Sequence, residues 1–369
     1  MRPHPTHACA KTGKRRCRSF AAAALGLTLC ASAAHAQSSV QLYGQVDAWI
    51  GSQKFPGAQR AWEVGGGGMS TSYWGLKGAE DLGGGTRAIF ALESFFRPQN
   101  GGAGRFTGDT FFARNAYVGA ESPYGTLSVG RLTTQLFIST ILFNPFGDSY
   151  QFSPMIYHTY LGTGTFPVYA TDQGVVGDSG WSNAVEYLTP NFSGLTGGAM
   201  YSFGNAAGNG GQHKDSAQVL YFGAAFSATV AYQYANYSNV AGDFANPNSS
   251  GVVPGLRSQS VAQAGVAYDF RLVKLYLQYM FTHNSLDVGS YHVNTGQAGV
   301  SVPLGDGSVL ASYAYSRDSG GMQQSRNTWA VGYDYLLSKR TDIYVAYMND
   351  KLSGQSVGDT FGVGVRAKF

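Results

Sequence analysis

From Ser39 to the last residue, apolar and polar positions alternate in short runs separated by turn residues. In the first run Val40, Leu42, Gly44, Val46, Ala48 and Ile50 share one face of an extended chain, and Gln41, Tyr43, Gln45 and Asp47 share the other, because successive side chains of a strand point oppositely. In the last run Phe361, Val363, Val365, Ala367 and Phe369 alternate with Gly362, Gly364, Arg366 and Lys368. Extended segments recur near 39–50, 70–79, 85–96, 110–121, 125–131, 181–189, 195–203 and 216–226, then near 228–238, 258–269, 273–283, 290–302, 307–316, 326–336, 340–350 and 359–369. They predict sixteen strands, an even number.

The connections alternate in length. Tight turns at 80–84, 121–125, 189–194, 269–272, 303–307 and 338–340 face long polar connections near 51–69, 97–109, 132–180, 204–215, 239–257, 317–325 and 351–358. One apolar face, one polar face and short turns opposite long loops make the dyad pattern of a barrel that crosses an outer membrane. Backbone N–H and C=O groups in hydrocarbon must all be paired, so the strand near 39–50 has to pair with the strand near 359–369. The expected fold is therefore all-β, a sixteen-stranded antiparallel transmembrane barrel over 37–369, wide enough for an aqueous channel. Both termini are expected on the short-turn side, and Asp47, facing a wet lumen, needs no partner there.

The first 36 residues read as a secretory signal peptide: Lys11, Lys14, Arg15, Arg16 and Arg18 are a basic region, Phe20 to Ala34 an apolar core, and Ala34-His35-Ala36 a small-residue cleavage site. That core is short of the roughly 20 apolar residues of a membrane-spanning helix, and no later stretch approaches that length. All three cysteines, Cys9, Cys17 and Cys30, fall in this leader, leaving the rest of the chain without a disulfide or thiolate metal site. Six of the 25 Lys and Arg also fall there and none of the 21 Asp and Glu do, so the remainder carries 19 basic against 21 acidic residues. The basic balance of the whole sequence belongs to targeting, and no basic patch for nucleic acid is left. Charged residues make up 12%, against about 25% in soluble domains.

Several blocks resemble the general porins of Gram-negative bacteria, particularly the β-proteobacterial type. They are Gln41-Leu42-Tyr43-Gly44-Gln45-Val46-Asp47-Ala48, Trp74 to Gly85 (WGLKGAEDLGGG), Arg114-Asn115-Ala116-Tyr117-Val118-Gly119, Tyr124 to Arg131 (YGTLSVGR), Tyr187 to Gly194 (YLTPNFSG) and the terminal Val363 to Phe369. They keep their family order and span essentially all of the chain after the leader. The resemblance implies a homotrimer in the bacterial outer membrane, with a third loop folded into each lumen and a passive, water-filled path for small hydrophilic solutes and ions. Lipid and those solutes are the implied partners. Phe361, Val363, Val365 and Phe369 mark the terminal strand as the candidate assembly strand.

The third loop also stands out by length, because 132–180 is the longest interruption of the ladder, and loops this long are usually functional or disordered. Its aromatics, Phe137, Phe143, Phe146, Phe152, Tyr157, Tyr160, Phe166 and Tyr169, fit a loop packed inside the lumen, with a lid over the barrel mouth or a trimer-contact loop as the alternatives. Asn144-Pro145-Phe146-Gly147-Asp148 resembles the tip of the family's constriction loop. By motif position Arg114 and Arg131 match wall arginines, the alternative being rim arginines that bind lipid phosphates; Lys77 and Tyr73 lie on the lumen parity of their strand, and Arg87 and Glu93 share a face that could line the wall. Asp148, Asp172 and Asp178 supply loop carboxylates. A transverse field of this kind selects by charge and dipole. Arg131 has the parity of Leu127 and Val129, so it reaches the lumen only where its strand bends. Tyr73 stands where many relatives carry arginine, and Gly180-Trp181 where another is common. Fewer wall cations predict weak charge selectivity with a slight preference for cations.

No cofactor or metal site and no enzymatic activity are expected. His158, His213, His283 and His292 are scattered without metal-ligand spacing. A rim hydrolase needs Ser, His and an orienting Asn or Asp in reach of one another, and no motif specifies Ser285 and His283 for that role. The glycine runs 65–68 and 83–85 lack the Lys and helix of a phosphate loop and read as a flexible loop and a tight turn. The rival readings are a substrate-specific outer-membrane channel and, further off, a plugged adhesive or enzymatic barrel.

Overall fold

The computed structural model describes residues 39–160, 175, 179–204, 213–236, 256–320 and 323–369. The leader over 1–36 and the loop residues Asp172 and Asp178 lie outside them. The strands are β1 (Ser39–Lys54), β2 (Ala61–Gly66), β3 (Tyr73–Gly83), β4 (Thr86–Arg97), β5 (Gly102–Ala103), β6 (Asn115–Ser122), β7 (Gly125–Thr133), β8 (Gly180–Leu188) and β9 (Leu195–Ser202). They continue with β10 (Lys214–Phe222), β11 (Phe226–Asn236), β12 (Leu256–Asp269), β13 (Lys274–Leu286), β14 (Ser290–Leu304), β15 (Gly307–Ser319), β16 (Ser325–Leu336), β17 (Thr341–Leu352) and β18 (Gly358–Lys368). Among the described residues two helices, α1 (Gln135–Leu142) and α2 (Pro154–Thr159), lie between β7 and β8.

Every strand pairing is antiparallel, and the sheet closes where β1 meets β18, from Gln45 opposite Lys368 to Lys54 opposite Asp359. The chain end completes the seam, since Gly44 and Phe369 exchange backbone hydrogen bonds of 3.2 and 3.1 Å. β2 and β3 lie end to end along β1, β2 opposite 48–53 and β3 opposite 39–45, and so form one stave. Among the described residues β5 pairs only with the end of β4. The barrel therefore has sixteen staves, and all sixteen predicted strands are present. The two extra segments occupy connections read as plain loops, 51–69 and 97–109. At one place the alternation of short and long connections fails: β13 and β14 join through a tight turn closed by Leu286 N–H to Gly289 C=O at 3.0 Å.

The two faces of the sheet meet different surroundings. Val40, Leu42 and Ile50 of β1 are 66, 58 and 61% exposed, and Phe361, Val363, Val365 and Phe369 of the terminal strand are 40 to 47% exposed. Burial of polar side chains on the opposite face runs through β10 to β16, with Gln218, Gln233, Gln259, Gln263, Gln278, Gln297, Thr295 and Thr328 all buried. An apolar outer face exposed at this level is what hydrocarbon solvates, and the polar face is the one a lumen keeps wet.

Part of that polar face is covered by α1 and α2. Thr134 caps α1 by accepting from Phe137 N–H, and Ser153 caps α2, with Pro154 at its first turn. Ser139 Oγ donates to Gln218 Oε1 at 3.0 Å, Thr140 Oγ1 donates to Gln263 at 3.2 Å, and Gln278 Nε2 donates to the Thr140 and Phe143 carbonyls. α2 is clamped by His158, whose ring nitrogens lie 2.6 Å from Ser316 Oγ and 2.7 Å from Thr328 Oγ1. Beside it Arg326 and Asp350, each 2% exposed, form an ion pair at 2.7 Å, and the Arg326 guanidinium lies 4.4 Å over the Tyr157 ring. Burial, and secondarily the Arg326 charge, push the His158 pKa down to about 3, so the ring stays neutral.

Asp47 overturns the expectation that a lumen carboxylate needs no partner. It is fully buried and saturated: Oδ1 accepts from Gly68 N–H at 3.0 Å and from the Tyr344 hydroxyl at 2.6 Å, and Oδ2 accepts from Met69 and Ser70 N–H at 2.9 Å each. The reason is the break between β2 and β3. Residues 67–72 leave the ladder there, and their backbone donors find the carboxylate instead. The glycine run 65–68 thus belongs partly to β2 and partly to this cradle, and a Cβ on Gly68 would meet the Tyr344 oxygen at 2.1 Å.

Candidate functional site

Glu93 of β4 is the centre of the polar cluster on the first staves. It stands opposite Gly75 of β3 and Asn115 of β6, and a Cβ on Gly75 would come within 2.9 Å of its Cγ. Its Oε1 lies 2.5 Å from Arg114 Nη1 and accepts from the Tyr43 hydroxyl at 2.5 Å, while Oε2 accepts from Asn115 Nδ2 at 2.5 Å. The Arg114 guanidinium sits 4.1 Å over the Tyr73 ring, and Lys77 Nζ sits 4.7 Å over the Tyr43 ring. Tyr73 therefore seats Arg114 by a cation–π contact, where an arginine at that position would have repelled it.

Asp148 approaches from the loop between α1 and α2. Its Oδ2 accepts from Ser70 Oγ at 2.8 Å, and Ser70 Oγ accepts in turn from Gln45 Nε2 at 2.5 Å. Burial pushes the Asp148 pKa up, against the hydrogen bond from Ser70 and the charge of Arg114. A cavity of about 300 Å³ brings Asp148 together with Arg105, Arg114, Asn115 and Glu186, beside Phe137, Ile141 and Tyr150 of the loop. A second cavity, of about 690 Å³, lies between Phe146, Gly147 and Asp148 on one side and Asp306, Asp334 and Arg366 on the other. Asp148 lines both.

The charges around the first cavity are largely matched at source. Arg114 is held by Glu93, 34% exposed against 4%, and Arg105 is held by Asp109 through Nε at 2.9 Å and Nη2 at 3.0 Å. Glu186 of β8 accepts from Gln135 Nε2 of α1 at 2.6 Å.

The predicted residues do not all gather there. Tyr73, Lys77, Glu93 and Arg114 form one cluster, and Asp148 shares a cavity with Arg114. Arg131 sits opposite Ala116, on the face of Leu127 and Val129, with Nε donating to the Ala113 carbonyl at 2.6 Å and Nη1 to Ser182 Oγ at 3.1 Å. β7 does bulge at this point, around Gly130 at φ +143°, but the bend does not carry Arg131 to Glu93. Arg87 pairs with Glu121 at 2.6 Å at the turn end of the sheet, both side chains exposed, six residues along β4 from Glu93. Tyr43, Asn115, Gln135 and Glu186 belong to the site and were not singled out from the sequence; the lumen parity of Tyr43 beside Gln45 was the available signal for one of them. Among the described residues no group of three or more His, Cys, Asp or Glu could hold a metal ion. His158 and Ser316 touch, but both are enclosed, which makes them a clamp and not a nucleophile open to a substrate.

A family model described as Gram-negative porin matches residues 21–355. An outer membrane porin protein of Bordetella pertussis is 29% identical over 92% of this chain and 96% of its own length. Outer membrane porin protein 32 of Delftia acidovorans is 30% identical over 94% of this chain and 92% of its own. Among solved structures, the anion-selective porin from Comamonas acidovorans superposes with a TM-score of 0.72 at 25% identity, over 90% of this chain and 100% of that one.

Proposed function

The chain belongs to the Gram-negative porin family, as an outer-membrane β-barrel channel, and on that premise we propose that its pore passes small hydrophilic solutes and ions with a weak preference for cations. The segment between β7 and β8 narrows the lumen in this reading. Its helices lie on the polar face of β10 to β16, and its tip residue Asp148 lines both of the cavities it separates. The observation that carries the sign of selectivity is the charge pairing at the aperture. Among the described residues each arginine that reaches the cavity has its own carboxylate, Glu93 for Arg114 and Asp109 for Arg105, so Asp148 stands as the surplus negative group. Lys77, exposed over Tyr43, returns one positive charge and keeps the preference weak.

The Comamonas neighbour is anion-selective by description, which makes the sign a direct test. A reversal potential in a salt gradient is expected on the cation side and small; a large potential of anion sign rejects the reading. No catalytic role is assigned to the barrel, and a homotrimer is the assembly that the family membership favours.

A further inference from the structure

We infer that Asp47, with Tyr344, is a positioning residue for the pore's charge selectivity, because its carboxylate shapes the stretch of wall on which the loop carboxylate Asp148 is mounted. The inference rests on the pore reading above.

A carboxylate offers about four acceptor positions. On Asp47 all four are used, two per oxygen, by the N–H groups of Gly68, Met69 and Ser70 and by the Tyr344 hydroxyl. The main chain is held as well: Gly67 N–H donates to the Asp47 carbonyl at 2.9 Å, and Ser72 Oγ both accepts from Asp47 N–H at 2.9 Å and donates to its carbonyl at 3.1 Å. The segment 67–72, which has left the strand ladder, is thus bent around one side chain of β1 and braced from β17.

The bent segment faces the loop tip and grips it twice. Ser149 Oγ donates to the Gly68 carbonyl at 2.6 Å, and Ser70 Oγ donates to Asp148 Oδ2 at 2.8 Å. Gly68 and Ser70 are two of the three residues whose N–H groups Asp47 collects. The position of Asp148 in the aperture is therefore fixed through Asp47, although Asp47 is itself enclosed and touches no solute.

The test compares wild type, Asp47→Asn and the double variant Ser70→Ala/Ser149→Ala, each as the full barrel in planar bilayers. An amide keeps one acceptor oxygen and adds a donor, so Asp47→Asn leaves some of the four donors unsatisfied. Both variants are expected to move the reversal potential away from the cation side and to add resolved sublevels to the open-channel current. The double variant leaves the Asp47 cradle intact and is expected to do so while lowering the unfolding temperature less than Asp47→Asn does. Wild-type reversal potential in the double variant overturns the inference, as does an Asp47→Asn barrel that loses thermal stability while keeping wild-type selectivity. Where Asp47→Asn does not fold, the double variant decides alone. A wild-type barrel that carries no current removes the pore reading itself, which is a separate result.

Discussion

Arg114 and Glu93 meet at 2.5 Å with Tyr43 and Asn115 completing the carboxylate's bonds, so Glu93→Gln removes one negative charge and keeps most of the shape. The guanidinium is then uncompensated in the aperture. Selectivity is expected to shift toward anions by about fivefold at most, the factor that corresponds to roughly 1 kcal/mol, the energy of two unit charges 4 Å apart in water. Asp148 adds a pH dependence. Its pKa lies above the ordinary aspartate value, first because of burial, so on acidification it protonates before an exposed aspartate does. Above its raised pKa the charge is present and favours cations; as the pH falls through it, that preference is lost. Reversal potentials measured at successively lower pH are expected to drift toward the anion side in wild type and to drift less in Asp148→Asn. Much of this chemistry was legible in part: parity placed Tyr73, Lys77 and Glu93 on one face, and motif position marked Arg114. For Arg131 parity and motif position disagree, and the structure follows parity: the bulge at Gly130 leaves it opposite Ala116, on the face of Leu127 and Val129.

Strands are the scale at which the sequence is most informative. Alternation gives the faces of β1 and β18 residue by residue, since lipid and water impose opposite demands on neighbouring positions. Leu42→Arg or Val365→Arg is expected to cost about 2–4 kcal/mol near the bilayer midplane, whereas Gln41→Arg on the wet face leaves the unfolding midpoint almost unmoved; equal midpoints in a denaturant titration contradict the face assignment. The break between β2 and β3 was invisible, because the donors it frees are taken up by Asp47, whose carboxylate is completed by Tyr344, 297 residues away. The helices of the long loop were equally hidden: their anchors are single hydroxyls and amides on distant strands, and a run of aromatics signals packing without naming the wall. The clamp on α2 has a measurable weight. Asp350→Asn leaves Arg326 buried without its counter-ion and is expected to destabilise the barrel by about 3–5 kcal/mol, while replacing both members by apolar residues of similar volume recovers most of the loss. Thermal melts of the single and double variants separate the two outcomes.

At the scale of the whole molecule, pairing of β1 with β18 closes the ring of sixteen staves, which is the condition for a sheet to stand in hydrocarbon. The seam between β1 and β18 extends to the last residue, so deletion of Phe369 removes both of its backbone bonds to Gly44 and is expected to slow assembly, read as a lower yield of heat-modifiable barrel on unboiled gels. The proposed homotrimer would place three such pores in parallel, and current steps in groups of three are the result that supports it. The measurement that reaches the central claim most directly is the single-channel current of the wild-type barrel in a planar bilayer under a salt gradient. Ohmic steps with a small reversal potential of cation sign are the predicted result; no current from a folded barrel, or a strong reversal potential of anion sign, contradicts the account of an open aperture whose arginines are neutralised by Glu93 and Asp109.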